Sequence, residues 1–151
     1  METTLQAKLA HYAENHRDRR NVIIHCVCVP AIMFAVIGLL MALNILVAIA
    51  AMIAATVYYT RIDPDRGVGI RTAAAMGAMM VGMFIVWLAL VPAADRLAAA
   101  LVIFVLAWIG QFVGHHLEGQ KPSFFDDVRY LLVGPLFVTH ELTTGRKAAW
   151  R

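Results

Sequence analysis

The chain has 151 residues, 61% of them hydrophobic, and a formal net charge of +3. Only 15% are charged, against roughly a quarter in soluble domains, which argues against a soluble globular enzyme. The basic excess is small, and no base-reading motif accompanies it, so nucleic acid is not expected as a partner.

The apolar residues come in runs of bilayer-spanning length. The expected fold is all-α: an integral membrane four-helix bundle in one domain over residues 1–151. Residues 1–21 are polar and helix-prone. They carry Lys8, Arg17, Arg19 and Arg20 and predict a helix lying at the interface, with Tyr12 and His16 on one face. Residues 22–60 are almost continuously apolar. One helix of that length would measure about 60 Å, twice the hydrocarbon thickness, so two crossings are expected, roughly 22–41 and 44–60, turning near Gly38–Asn44. The run from Val22 is also far longer than the apolar core of a signal peptide, so no cleaved leader is expected.

Residues 61–71 read as a loop, broken by Pro64 and two glycines. A third crossing follows at about 72–91. Its Ala74, Ala78 and Gly82 recur every four residues, a small face suited either to a homodimer or to packing within the monomer. After the turn at Pro92–Asp95 comes a fourth crossing, about 97–114. Phe124, Phe125, Val128, Leu131 and Leu132 then share a helical face, which predicts a C-terminal amphipathic surface helix over 123–135. Residues 136–151 read as a tail. Twelve of the thirteen Lys and Arg residues fall on one side of this topology. The positive-inside rule therefore puts both termini on the cytoplasmic side. Cys26 and Cys28, at i and i+2 in an apolar run, read as two small buried hydrophobes.

Ionisable groups are expensive in a bilayer and usually mark function. Two clusters stand out here. Tyr12, His16, Arg17, Asn21 and His25 open the first crossing. Gln111, His115, His116, Glu118 and Lys121 close the fourth. In an antiparallel bundle both lie at the cytoplasmic face, where His16, His25, His115 and His116 are expected to hold a metal. Imidazole suits Fe, Zn, Cu and Ni, and two histidines with one carboxylate form a common Fe(II) site. His115 and Glu118 share a face at i, i+3. His116 lies about 100° round, so it joins His115 only if the helix frays between Gly114 and Gly119. His16 and His25, nine apart, would point in opposite directions on one continuous helix. A break near Asn21, or an outer role for one of them, is required. Glu141 reads as a ligand, an outer-shell partner or a tail residue. Arg17 and Lys121 are topology signals that also suit a carboxylate. No H-x-x-H-H boxes, H-E-x-x-H or Walker A loop is present, so diiron desaturase, zincin and ATPase readings have no support.

At these residues the chain resembles the membrane 2-hydroxy fatty acid dioxygenases of fatty-acid α-oxidation, typified by the yeast endoplasmic-reticulum enzyme of phytosphingosine breakdown. One shared pattern is Tyr12-x3-His16-x4-Asn21-x3-His25, followed by Pro30. The other is Gln111-x2-Gly114-His115-x2-Glu118-Gly119-x2-Pro122, with Pro135 and Glu141 downstream. The resemblance implies an Fe(2+)-dependent enzyme that uses O2 to remove C1 from a 2-hydroxy fatty acid. It also implies a multi-pass protein of the cell inner membrane or the endoplasmic reticulum, in contact with membrane lipids, its site facing the cytoplasm. On that reading Glu118, Lys121, Arg17 and Tyr12 act in catalysis, while Asn21, Gln111 and Glu141 support the cofactor. The competing readings are a zinc-dependent membrane lipid hydrolase and a non-enzymatic membrane scaffold.

Overall fold

The computed structural model describes residues 4–14, 16–119, 121 and 129–144. Among them every regular element is helical: α1 (Leu5–Glu14), α2 (Arg19–Leu43), α3 (Ile45–Thr60), α4 (Arg66–Leu90), a single 3-10 turn (Ala93–Asp95), α5 (Arg96–Glu118) and α6 (Tyr130–Thr144). Each expected crossing falls on a helix. Three stretches, Arg19–Leu43, Arg66–Leu90 and Ala93–Glu118, are long and apolar enough to cross a membrane. Only 22% of the most apolar window in each is buried within the protein, so their exposed faces are mostly hydrocarbon side chains, as lipid requires. The shorter α3, 16 residues, is about 24 Å long.

The breaks between helices have local causes. Asn44 ends the first apolar run and caps α3, its Oδ1 accepting from the Leu46 N–H at 2.8 Å. Asp65 caps α4 through the Gly67 and Val68 amides. The helix expected over residues 1–21 is α1, which covers Leu5–Glu14.

By internal packing the chain groups into two compact units. One comprises Ile32–Val105. Its centre is Trp87, fully buried on α4 and stacked on Phe34 of α2 with ring centroids 4.6 Å apart. The indole N–H donates to the Phe34 carbonyl at 2.8 Å, so this polar edge is satisfied inside an apolar core. A Cβ at Gly38 would lie 2.3 Å from the same indole, so only glycine admits the ring there. On the outer side of α4, Ala74, Ala78 and Gly82 are exposed.

The other unit comprises Met1–Ala31 and Leu106–Arg151. In it, α1 packs on α6 through stacked His11 and Tyr130, 5.3 Å apart, and through Tyr12 against Phe137, 5.0 Å apart. The start of α2 lies close on the end of α5. A Cβ at Gly110 would lie 2.5 Å from the Cys28 sulfur, and one at Gly114 would lie 2.3 Å from Asn21 Oδ1. The two glycines form a small-x3-small step that lets the backbones approach.

The described C-terminal helix overlaps the end of the expected one and extends beyond it into the expected tail. The stretch 122–128, with Phe124, Phe125 and Val128, lies outside the described residues. Helix α6 begins at Tyr130 and runs through Pro135 to Thr144. Its buried side chains are Val133, Leu136, Phe137 and Val138, whereas Leu131 is 45% exposed. The expected helix ends at Pro135, which lacks an N–H to donate. Here it removes one helical hydrogen bond, and the apolar run on both sides of it is buried against the unit.

Candidate metal centre

Helix α1 ends at Glu14, and His16 sits in the link to α2, its N–H bonded to the Ala13 carbonyl at 3.1 Å. The break between His16 and His25 therefore lies before Asp18, earlier than the expected position at Asn21, which is already inside α2. That break frees His16 from the periodicity that would have turned it away from His25. The two Nε2 atoms face each other at 3.0 Å.

Their other ring nitrogens define the protonation. His16 Nδ1 lies 2.7 Å from the Tyr12 carbonyl, and His25 Nδ1 lies 3.0 Å from the Asn21 carbonyl. A carbonyl only accepts, so each Nδ1 carries the proton and donates. Each Nε2 then presents its lone pair to the other. Two lone pairs at that distance repel unless a cation lies between them. Two imidazole nitrogens bound to one divalent ion at about 2.0–2.1 Å sit roughly 3 Å apart, which is the spacing found. His115 completes the group. Its ring is 5.0 Å from that of His16 and 4.8 Å from that of His25, and one ligand atom from each of the three lies within 4.8 Å of the others. All three histidines are buried, with 4%, 1% and 5% exposure for His16, His25 and His115. The donor set fits a metal.

Burial pushes the His16 imidazole down to about 4, against a weaker opposing effect of its bond to the Tyr12 carbonyl; nearby His115 lowers it further. His16 is therefore neutral and able to ligate at pH 7. The sign of the stability effect follows. The unfolded chain takes up this proton near pH 6.5 and the folded, metal-free protein only near 4. Stability from His16 is complete above pH 6.5 and is lost as pH falls toward 4, by up to about 3 kcal/mol. Thermal melts in chelator at pH 7.5, 6 and 5 should show a falling midpoint. A flat profile would contradict the buried neutral imidazole.

The His16 ring is held from behind. Tyr12 stacks on it at 4.1 Å with an interplanar angle of 6°, and Phe137 lies 5.0 Å from Tyr12 and 5.5 Å from His16. Burial raises the Tyr12 phenol, so it stays protonated and is not a base. Gly134 gives Tyr12 room: a Cβ there would sit 3.1 Å from the hydroxyl. Tyr130, Gly134 and Phe137 form an i, i+4, i+7 face on α6 turned to Tyr12. Sequence reading passed over this face, although its spacing was visible.

The remaining expected residues divide clearly. Asn21 is fully buried, and Gln111 is buried one turn before His115 on α5. Glu118 is half-buried and turned to the α1–α2 link. Its Oε1 accepts the Arg17 N–H and, at 3.1 Å, the Asp18 N–H; its Oε2 accepts from Asn21 Nδ2. His116 is exposed and outside the converging group, because α5 does not fray at Gly114 but continues to Glu118. The side chains of Arg17 and Lys121 are exposed and Glu141 is half-buried.

A family model described as 2-hydroxy-palmitic acid dioxygenase Mpo1-like matches residues 2–60 and 70–146. The chain belongs to this family. The match covers every residue of the three-histidine group, both glycines at the α2–α5 approach and the Tyr130–Phe137 face. A curated relative, 2-hydroxy-palmitic acid dioxygenase MPO1 of Saccharomyces cerevisiae, is 26% identical over 147 residues, covering 91% of this chain and 78% of its own length. No solved structure matches significantly. For this Mpo1-like chain, the likeness in sequence and the convergence of the histidines are two different kinds of observation. One concerns the order of residues along the chain; the other concerns which of them meet.

Proposed function

We propose that this protein is an Fe(II)-dependent membrane dioxygenase that removes C1 from a 2-hydroxy fatty acid with O2, giving a fatty acid one carbon shorter. The observation that carries the proposal is the pair of buried imidazoles with opposed Nε2 lone pairs, joined by His115, in a chain of the Mpo1-like family. His16, His25 and His115 would hold the ion. Three protein ligands would leave room on the ion for the hydroxyl and carboxylate of a 2-hydroxy acid. The chemistry a ferrous ion supplies when bound there is Lewis acidity toward the 2-hydroxy acid and electrons for O2.

The chain's own residues do the rest. The Tyr12 and Asn21 carbonyls keep both Nδ1 atoms protonated and so aim both Nε2 atoms inward. The Tyr12 and Phe137 rings exclude water from one side of His16. Arg17 and Lys121, both exposed, supply cations that can draw in a fatty carboxylate. The apolar surfaces of α2 and α5 beyond the site, with Val27 67% and Leu106 63% exposed, suit the acyl tail in hydrocarbon. The concentration of Lys and Arg on one side supports a site at the cytoplasmic face of a multi-pass protein.

A second reading, a zinc-dependent lipid hydrolase, draws on one specific observation: among the described residues no carboxylate joins the converging ligands, and three histidines suit catalytic zinc. One experiment separates the two. The protein, purified in detergent and loaded anaerobically with Fe(II), is given 2-hydroxypalmitic acid with O2, and lipids are read by mass spectrometry. The expected product is the acid one carbon shorter, lost on chelation or without O2. Tightly bound zinc with no such product would overturn the dioxygenase reading.

A further inference from the structure

We infer that Glu118 is a positioning residue that assembles the three-histidine centre from outside it. The inference rests on the reading that these histidines hold a metal. All three ligand-bearing segments meet at this one carboxylate. Through Oε1 it accepts the N–H groups of Arg17 and Asp18, the two residues that follow His16. Through Oε2 it accepts from Asn21 Nδ2, and the Asn21 carbonyl in turn accepts the His25 Nδ1 proton. Glu118 itself stands three residues after His115 on α5, and α5 stops at the next residue, where Gly119 turns to φ +72°. The link that carries His16 has no helical ladder of its own to fix it. Glu118 supplies what the ladder would have, at the amide-rich start of α2 where a negative charge is favoured.

The carboxylate is an acceptor in all three bonds, and its oxygens are not among the converging ligand atoms. A general acid or base needs an oxygen open to the reacting proton. These oxygens are turned to the link and to Asn21.

The donor–acceptor polarity of the Glu118–Asn21 contact supplies the test. Glu118→Gln puts an NH2 against the NH2 of Asn21. Asn21→Asp puts an oxygen against the oxygen of Glu118. The double variant E118Q/N21D reverses both groups, keeps the heavy-atom count and net charge, and restores one donor facing one acceptor. The full chain in detergent is titrated with Co(II), following its ligand-field absorption, and turnover is measured on the Fe(II)-loaded protein. Each single variant should bind Co(II) about 10–100-fold more weakly with an altered spectrum. The double variant should regain the wild-type spectrum, affinity and turnover; the recovery also answers misfolding of the single variants. E118Q binding Co(II) like the wild type overturns the inference and leaves the metal centre standing. Recovery of the Co(II) spectrum without turnover also overturns it, because Glu118 would then act in the chemistry. A wild-type protein that binds no Co(II) takes the metal reading down first and the inference with it.

Discussion

Replacing His25 with alanine should abolish metal binding and turnover together. His25 is the middle member of the group: its Nε2 faces His16 at 3.0 Å, and its ring is 4.8 Å from His115. Without it, His16 and His115 are left to bind alone, each from a different segment. The loss should exceed the roughly 10–100-fold that changes outside the ligand set cause. Metal content by mass spectrometry after Fe(II) loading should fall to background, while circular dichroism keeps the wild-type helix content. His116→Ala is the matched control. It removes an imidazole one residue from His115 that is exposed and outside the group, and it should leave metal content unchanged. If H25A kept its iron, or if H116A lost it, the ligand set would be wrong.

The second large effect is expected from a single methyl group. Gly114→Ala places a Cβ 2.3 Å from Asn21 Oδ1 and 3.3 Å from Ile24 Cγ2. Asn21 cannot swing aside easily, because it is fully buried and its Nδ2 is held by Glu118. Either α2 and α5 move apart or Asn21 loses its place, and His25 follows because its Nδ1 bonds the Asn21 carbonyl. Such overpacking costs about 1–3 kcal/mol. A weaker metal site, by about tenfold or more, should accompany it. Gly82→Ala provides the comparison: a Cβ there meets nothing within 4 Å, so the change should cost no stability and gain up to about 1 kcal/mol of helix propensity. Thermal melts in detergent and Co(II) titration read both variants. Equal behaviour of G114A and G82A would mean that the α2–α5 approach is looser than described.

Much of the architecture was legible along the chain, for a physical reason. An apolar run has a length, and a bilayer has a thickness. Their ratio divided residues 22–60 into two crossings turning near Gly38–Asn44, and the Asn44 side chain does cap α3. Histidines in such a chain are costly, so they drew attention without any knowledge of their neighbours. The Tyr12–His25 and Gln111–Pro122 patterns pointed to the family to which the chain belongs.

Other features were not legible, because periodicity describes a helix only while the helix continues. Spacing set His16 and His25 on opposite faces and required a break. It could not place that break before Asp18, where a carboxylate 100 residues later in the chain receives the Arg17 and Asp18 amides. Glycine at 114 reads locally as a site of fraying. It is instead a site of close approach, and the difference lies wholly in the presence of Asn21 across the gap. Proline at 135 reads as an end, yet α6 continues through it.

What the sequence by itself determined is therefore the class of molecule: an all-helical chain of bilayer-length apolar segments, with its polar chemistry gathered at two points. These follow from composition and run length, which do not depend on what packs where. What only the tertiary structure decided is which of these side chains meet. It brought His16, His25 and His115 together and left His116 outside, and it turned Glu118 toward backbone amides. It set the ring of Tyr12 flat behind His16. The Tyr12–His16 stack joins residues four apart, whereas the meeting of the three histidines and the turn of Glu118 depend on contacts between residues far apart in the chain. Local pattern carries no information about such contacts, and the angle at which a side chain leaves an unbroken helix decides which of two adjacent histidines can take part.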